Sequence, residues 1–359
     1  VNIHVGEETF RFSVEIRPDQ ERLIEALLAK IDRAIAQALG EFIRNATSPE
    51  AVRTLTRLIA EGRLEEAARF AALYSEPVGL RIADAFRAAA LFETRMLQGP
   101  AARVQPGSGG GGIRVPPSIS ALFDRMPRPS VSVTFDPGNP RAAESMRTLK
   151  DEFLQGFNQD SAEVMREVIA KGLDDGTGPR EVARQMRDHV GLSRPQMNAL
   201  TRYRQLLGEL DGEALSSVTR DRRYDATIRR AIKDGKPLTA EQIDTYVDAR
   251  RRKMIKARAE FIATNESASA LNRGREEGMR QMIEGTGIDP AQVTKKWQSM
   301  RDGRVRHTHS VMDGQKVQGL DGVFLSPSGA TLRYPRDPKA PLAETAGCRC
   351  YISHRLTRG

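Results

Sequence analysis

Cysteine is almost absent from the chain, with two residues, Cys348 and Cys350, in 359. A disulfide-built scaffold is excluded, and such usage suits a reducing compartment. Long apolar runs are missing too. Charges interrupt each hydrophobic stretch after a few residues, so none reaches the ~18–20 uncharged positions that a membrane helix needs. The opening residues, Val1-Asn2-Ile3-His4, carry no basic flank leading into an apolar segment and give no signal-peptide pattern. A soluble protein with no membrane partner is expected. Its 39% hydrophobic and 29% charged residues, with a mean hydropathy of −0.49, leave enough apolar chain for a real core. The length suggests two or three units.

The net charge of +9 is unevenly placed. From Arg250 to Gly359 there are 21 Lys/Arg against 11 Asp/Glu, and before Arg250 there are 35 against 36. All the positive excess therefore lies in the last third, which points to a polyanion there, with nucleic acid the commonest candidate; non-specific double-stranded DNA or an acidic partner protein is the expected contact of its basic helix. A solubilising charged surface is the alternative. The densest cluster comprises Arg250, Arg251, Arg252, Lys253, Lys256 and Arg258, six cations in nine positions, spread around most of a predicted helix. Contacts to phosphate need only positioned positive charge and are independent of sequence. No aromatic residue is interleaved, so stacking on single strands is not indicated. A solvated helix face paired with Asp244 and Asp248 is the competing account.

Along the chain, Val1, Ile3 and Val5, then Phe10, Phe12, Val14 and Ile16, alternate with polar residues and predict a β-hairpin over residues 1–16 with one apolar face. From Pro18 the apolar period becomes helical, with Leu23, Leu27, Ile31, Ile35, Leu39 and Phe42 on one stripe. Ala51–Ala60, Leu64–Tyr74 and Val78–Leu97 continue an Ala-rich bundle. Residues 99–129 are a Gly/Pro-rich linker in which Gly109 to Gly112 hold neither helix nor core; no Lys-Ser/Thr follows to make a phosphate loop. A short strand over Ser130–Phe135 is expected next, then helices at about 141–157, 160–172 and from Pro179 to His189. Another helix starts behind Ser193-Arg194-Pro195, and a long one runs from Asp244 to about Glu284. After Ile288 the helical period is lost, and Val293–Gln298, Gly322–Leu325, Ala330–Tyr334 and Arg349–Ile352 read as strands. The expected fold is mainly α with a small C-terminal α+β domain. Its segments are a hairpin and helical bundle (1–98), a flexible linker (99–129), a helical middle with the basic helix (130–286) and the α+β domain (287–359).

The five histidines are His4, His189, His307, His309 and His354, and three of them share the last segment with both cysteines. In an extended segment residues i and i+2 share a face, so Cys348 and Cys350 point the same way. With His309 and one further ligand, Asp302, His307 or His354, they would make a tetrahedral site for structural zinc. Two reduced thiols filling a small core are the simpler alternative. A metal-dependent nuclease centre, with His309 or His307 activating water and Asp302 on the metal, lacks the paired carboxylates such chemistry favours. A serine nucleophile at Ser310 or Ser326 lacks its elbow context. No catalytic residue is therefore assigned.

The last third also contains an ordered set: Trp297, Asp302-Gly303-Arg304-Val305-Arg306, His309, Asp313-Gly314, Phe324, Tyr334-Pro335, Asp337-Pro338 and Cys348-Arg349-Cys350. That order resembles the Mu F-like phage head morphogenesis family, the minor head proteins of tailed phages. Phe261-Ile262-Ala263-Thr264-Asn265-Glu266, with Ala270 and Asn272, is similar to the family's preceding helix. The likeness covers roughly 255–355, is weaker over 140–250 and is absent over 1–120. Gly347 stands where the family commonly has Asn, and only His309 falls on its histidine position. The resemblance implies that Asp302, Arg304, Arg306, His309, Asp313, Gly314, Cys348 and Cys350 define the fold rather than carry catalysis, with an arginine at the turn holding Asp302 or Asp313. It further implies a low-copy virion head component, in the host cytoplasm before assembly. Its partners would be the portal protein and other capsid components, and it would act in head assembly, DNA packaging or delivery. No cofactor beyond a structural zinc is expected. A metal-dependent nuclease or toxin-like effector carried in the head is the alternative, and a host DNA-binding or scaffold protein sharing the domain is a third.

Overall fold

The computed structural model describes residues 2–5, 8–11, 18–97 and 135–356, and the chain is mainly α with a small C-terminal set of antiparallel strands. The predicted linker and nearly all of the strand expected over Ser130–Phe135 lie outside the described residues. Strands β1 (Asn2–Val5) and β2 (Glu8–Arg11) pair antiparallel with Ile3 opposite Phe10, as the alternating pattern predicts for this part of the hairpin, while residues 12–16 of the expected hairpin lie outside the described residues. The helices are α1 (Pro18–Ala46), α2 (Pro49–Ala60), α3 (Leu64–Arg69), α4 (Glu76–Leu97), α5 (Pro140–Asp174), α6 (Pro179–His189), α7 (Arg194–Gly208), α8 (Asp225–Asp234) and α9 (Ala240–Thr286), followed by the short α10 (His307–Met312) and α11 (Leu342–Thr345). Where two helices were expected over 141–172, α5 is continuous, because neither Asn158 nor Gln159 breaks a helix and the Ser161 hydroxyl bonds back to the Phe157 carbonyl. Among the described residues no helix is long and apolar enough to cross a membrane.

Contacts gather the chain into two compact units, each assembled from segments distant in sequence and cutting across the sequential segments that composition suggests. One comprises Ala38–Pro77 and Leu154–Ile262. Its core is Leu192, Leu200, Tyr203, Leu206, Leu207, Ile228, Tyr246, Val247 and Met254. Phe42 meets Phe157 edge-on with ring centroids 5.0 Å apart. At the start of α7 the Ser193 backbone N–H donates to the Gln196 side chain at 3.0 Å, satisfying one of the donors that a helix start leaves open.

The other unit comprises Val1–Gln37, Val78–Phe153 and Ala263–Gly359. A three-stranded antiparallel sheet, β4 (Lys316–Gln318), β3 (Val293–Gln298) and β7 (Tyr351–Leu356) in that order, sits beside a two-stranded one, β5 (Phe324–Leu325) with β6 (Thr331–Leu332). The period-2 pattern of β3 buries Val293, Lys295 and Trp297, and Trp297 lies opposite Ile352 of β7. β4 was not read from the sequence, since a single half-buried Val317 between two exposed polar residues is too short a run to detect.

Helix α9 packs on α4 at two glycines. A Cβ on Gly274 would overlap the Phe86 carbonyl oxygen, and one on Gly278 the Ala90 carbonyl oxygen, so both are needed for the close approach of the two backbones. Beside this contact lies a charge cluster with almost no solvent access. Arg275 donates through Nε to Glu93 at 2.5 Å, and His354 Nδ1 lies 2.8 Å from the other Glu93 oxygen. Glu276 stands 3.6 Å from His354 Nε2 and 3.7 Å from the wholly buried Lys295, which donates to the Arg333 carbonyl. Burial alone would lower the pKa of His354, but Glu93 and Glu276 outweigh it and raise it above the ordinary histidine value. Burial likewise works to raise Glu93, and Arg275 and His354 overcome it and hold the carboxyl low.

Two outcomes follow for stability. Gly278→Ala should lower it by about 1–3 kcal/mol, since α4 must move to admit the methyl group, and a urea midpoint reads this directly. A raised folded-state pKa on His354 means stabilisation fully present below about pH 6.5 and lost as pH rises through the higher folded value. Stability measured from pH 6 to 9 should therefore fall more steeply in the native protein than in His354→Gln. Parallel profiles would show that His354 does not titrate in that window.

Candidate metal centre

Three scarce side chains meet in the second unit described. α10 presents His309 inward and leaves His307 exposed, while the extended segment before β7 carries Cys348 and Cys350, spaced to share a face. His309 Nδ1 lies 3.3 Å from Cys348 Sγ and 3.6 Å from Cys350 Sγ, and all three donor atoms fall within 4.8 Å of one another. A zinc ion bound at ordinary Zn–N and Zn–S lengths in tetrahedral geometry separates its nitrogen and sulfur ligands by about 3.6 Å. This buried group is thus able to bind a metal ion. The same cysteines also fill a small core with Trp297, Met312, Phe324, Leu332 and Ile352, as the alternative reading held.

The surroundings prepare the donors. Cys350 hydrogen-bonds Cys348 and holds its thiol well below the ordinary cysteine range against the opposing effect of burial, with His309 adding to the lowering. The same hydrogen bond, with burial, pushes the Cys350 thiol up. On the far side of the imidazole, Nε2 lies 2.9 Å from Glu344 Oε2, although off the line of a hydrogen bond. Glu344 is itself fixed by the hydroxyls of Thr308, Ser326 and Ser328 at 3.1, 3.0 and 2.6 Å. A carboxylate behind a ligating imidazole fixes the ring and raises its basicity. Glu344 was missed in the sequence because it stands 35 residues from His309 on a four-residue helix, with no motif spacing to flag it.

The expected fourth ligands do not join the group. Asp302 is held through both oxygens by Arg349 Nη2 at 2.7 Å, His307 is exposed, and His354 belongs to the cluster around Glu93. Of the two arginines expected at the turn, Arg304 does pair with Asp302, at 3.5 Å and through its backbone N–H at 3.1 Å, beside the closer Arg349; Asp313 is held by Arg301 and the Ser299 amide. Arg306 instead donates to the Ala346 carbonyl, and Gly314 takes a positive φ of 81° in the turn whose amide bonds the Trp297 carbonyl. A small cleft lined by Met300, Arg304, Val305, Arg306, Gly347 and Arg349 reaches all three donor residues.

The cations of α9 are mostly engaged. Arg250 is buried over the Tyr203 ring, 4.6 Å from its centroid, and donates to Thr219 and the Ala199 carbonyl. It is not a surface cation. Arg258 pairs with Asp160 at 3.2 Å, and Arg251 and Arg252 converge on Asp248. Lys253 donates to the Arg220 carbonyl near Asp221, and Lys256 stands 3.9 Å from Glu260. The pairing expected with Asp248 is present, while Asp244 turns instead to Arg204.

In comparisons with family models, curated proteins and solved structures, nothing matches this chain. The likeness to the Mu F-like family therefore rests on the quoted residues alone.

Replacing Arg250 by Ala should cost on the order of 2–3 kcal/mol in a chemical denaturation, from the lost ring contact and two charge-assisted hydrogen bonds. Lys256→Ala, on an exposed side chain, should stay within about 0.5 kcal/mol of the native protein.

Proposed function

We propose that the chain is a structural minor head protein of a tailed phage, associated with the portal vertex, whose C-terminal segment is held by one zinc ion with three protein ligands, His309, Cys348 and Cys350. The observation that carries this reading is the use of the resembling residues. Asp302, Arg306, His309, Asp313, Cys348 and Cys350 bond one another or the backbone around a buried group, which is the work of a folding frame. Asn265 and Asn272, from the similar helix, hold the same segment through Gly347, Cys350 and Ile352. Contact with packaged DNA falls to the exposed cations Arg252, Lys253 and Lys256, and non-specific binding of that kind weakens steeply with salt.

Peptide mass spectrometry of density-banded particles from the source strain should find the chain at low copy beside the portal protein. Particles without it, or metal-dependent cleavage of plasmid DNA by the purified protein, would overturn the assignment. Metal analysis of the purified chain should give about one zinc per molecule, lost in Cys348→Ser with a fall in thermal midpoint on the order of 5–10 °C. Full stability of the variant with no metal in either protein would leave the two thiols as core residues.

A further inference from the structure

We infer that the metal ion held by His309, Cys348 and Cys350 keeps an exchangeable fourth position, filled by a single anionic donor atom that enters through the cleft flanked by Arg304, Arg306 and Arg349. The inference rests on the metal reading above and concerns what that site would take.

Structural zinc sites close with four protein ligands, whereas three protein ligands and an opening mark a position left for an outside donor. Among the described residues the donor group here stops at three. The carboxylates nearest in sequence and space are committed elsewhere. Asp302 is taken up by Arg349, and Glu344 stands behind the imidazole, bonded by three hydroxyls. The cleft opens on the donor group, because His309, Cys348 and Cys350 are all part of its wall. Its cavity of about 20 Å³ has room for one water-sized ligand. A bulky side chain is therefore excluded, and a lone oxygen, a halide or the end atom of a small anion is admitted.

Charge sets the class of that donor. Two thiolates cancel a dication and a ligating imidazole is neutral, so the centre itself carries no net charge. The three arginines around the mouth then decide the preference. Arg304 is largely exposed and stands 3.5 Å from Asp302. Arg306 donates through Nη2 to the Ala346 carbonyl, and Arg349 donates through Nη2 to Asp302. A guanidinium has five N–H donors, and these bonds occupy one nitrogen of each, so donors remain for an anion. The ligand class is a small anion that binds through one atom, either a solvent-derived monoanion or the terminal oxygen of a phosphate.

The test uses the full chain loaded with cobalt(II), whose visible bands report on coordination without any activity. Thiolate-to-cobalt charge transfer establishes the protein ligands. Titration with azide and, separately, with inorganic phosphate should then shift the ligand-field bands saturably, and Arg304→Gln should raise the midpoint roughly tenfold, which is the loss of about 1.4 kcal/mol. A response to azide alone assigns monoanions, and a response to phosphate as well assigns oxyanions; both support the inference. Charge transfer present with bands indifferent to both anions overturns the open position and leaves the metal site standing. Failure of cobalt to give charge transfer overturns the metal reading itself. A midpoint unchanged in Arg304→Gln removes the arginine mouth as the source of the preference.

Discussion

The outer edge of β7 is the constraint on which the C-terminal part of the protein depends. β7 is an edge strand, paired on one side to β3, and its other side leaves backbone groups that must find partners once buried. Helix α9 supplies them from its side chains. The Asn272 amide accepts from the Ile352 N–H at 3.1 Å and donates to the Cys350 carbonyl at 3.1 Å, acting as one residue of a missing strand. Arg275, one turn on, donates to the Ile352 carbonyl. Two turns earlier Asn265 accepts from the Gly347 N–H at 2.8 Å and also receives Arg336. The segment from 347 to 352 is therefore pinned at both ends by one rigid helix, and Cys348 and Cys350 lie between the pins.

That arrangement explains why charges are buried nearby. Arg275 reaches the strand only by leaving water, and a buried guanidinium needs a carboxylate, which α4 provides as Glu93. Glu93 then has a second oxygen to satisfy, and His354 of β7 meets it. Helix, helix and strand are thus joined by one acidic group. The glycines of α9 belong to the same logic. Without the close approach at Gly274 and Gly278, α4 would stand too far from α9 for Glu93 to serve both partners.

Much of the architecture was legible because it rests on local periodicity. The apolar stripe of α1, the long proline-free run of α9, the prolines that open α6 and α7, and the alternation of β3 all read directly from their own segments. His309, Cys348 and Cys350 were also legible, as scarce ligands gathered within about forty residues. Residues acting at long range were not. Glu344 lies on a helix of four residues, and Glu93 is 182 positions from Arg275, so neither carries a spacing signal. Asp302 was misplaced because the sequence puts it near His309, whereas the Arg349 between the two cysteines turns outward to claim it.

The same difference between count and position applies to the charge. Twenty-one basic residues from Arg250 onward suggested an electropositive exterior, yet composition does not distinguish a cation in solvent from one inside the fold. Arg250, Arg275 and Lys295 are buried, and Arg258 and Arg273 are mostly covered while pairing with Asp160 and Glu152. Arginine suits this use because it stays charged when desolvated and its planar fork can serve a carboxylate and a carbonyl together, as Arg275 does with Glu93 and Ile352. A large share of the positive excess is therefore structural, holding carbonyl edges and buried carboxylates in place. The field available to a polyanion is set by the smaller group left outside, and on α9 that group is Arg252, Lys253 and Lys256, each standing near an acidic neighbour of its own. Such a surface favours contacts whose strength depends on ionic conditions over a permanently charged groove.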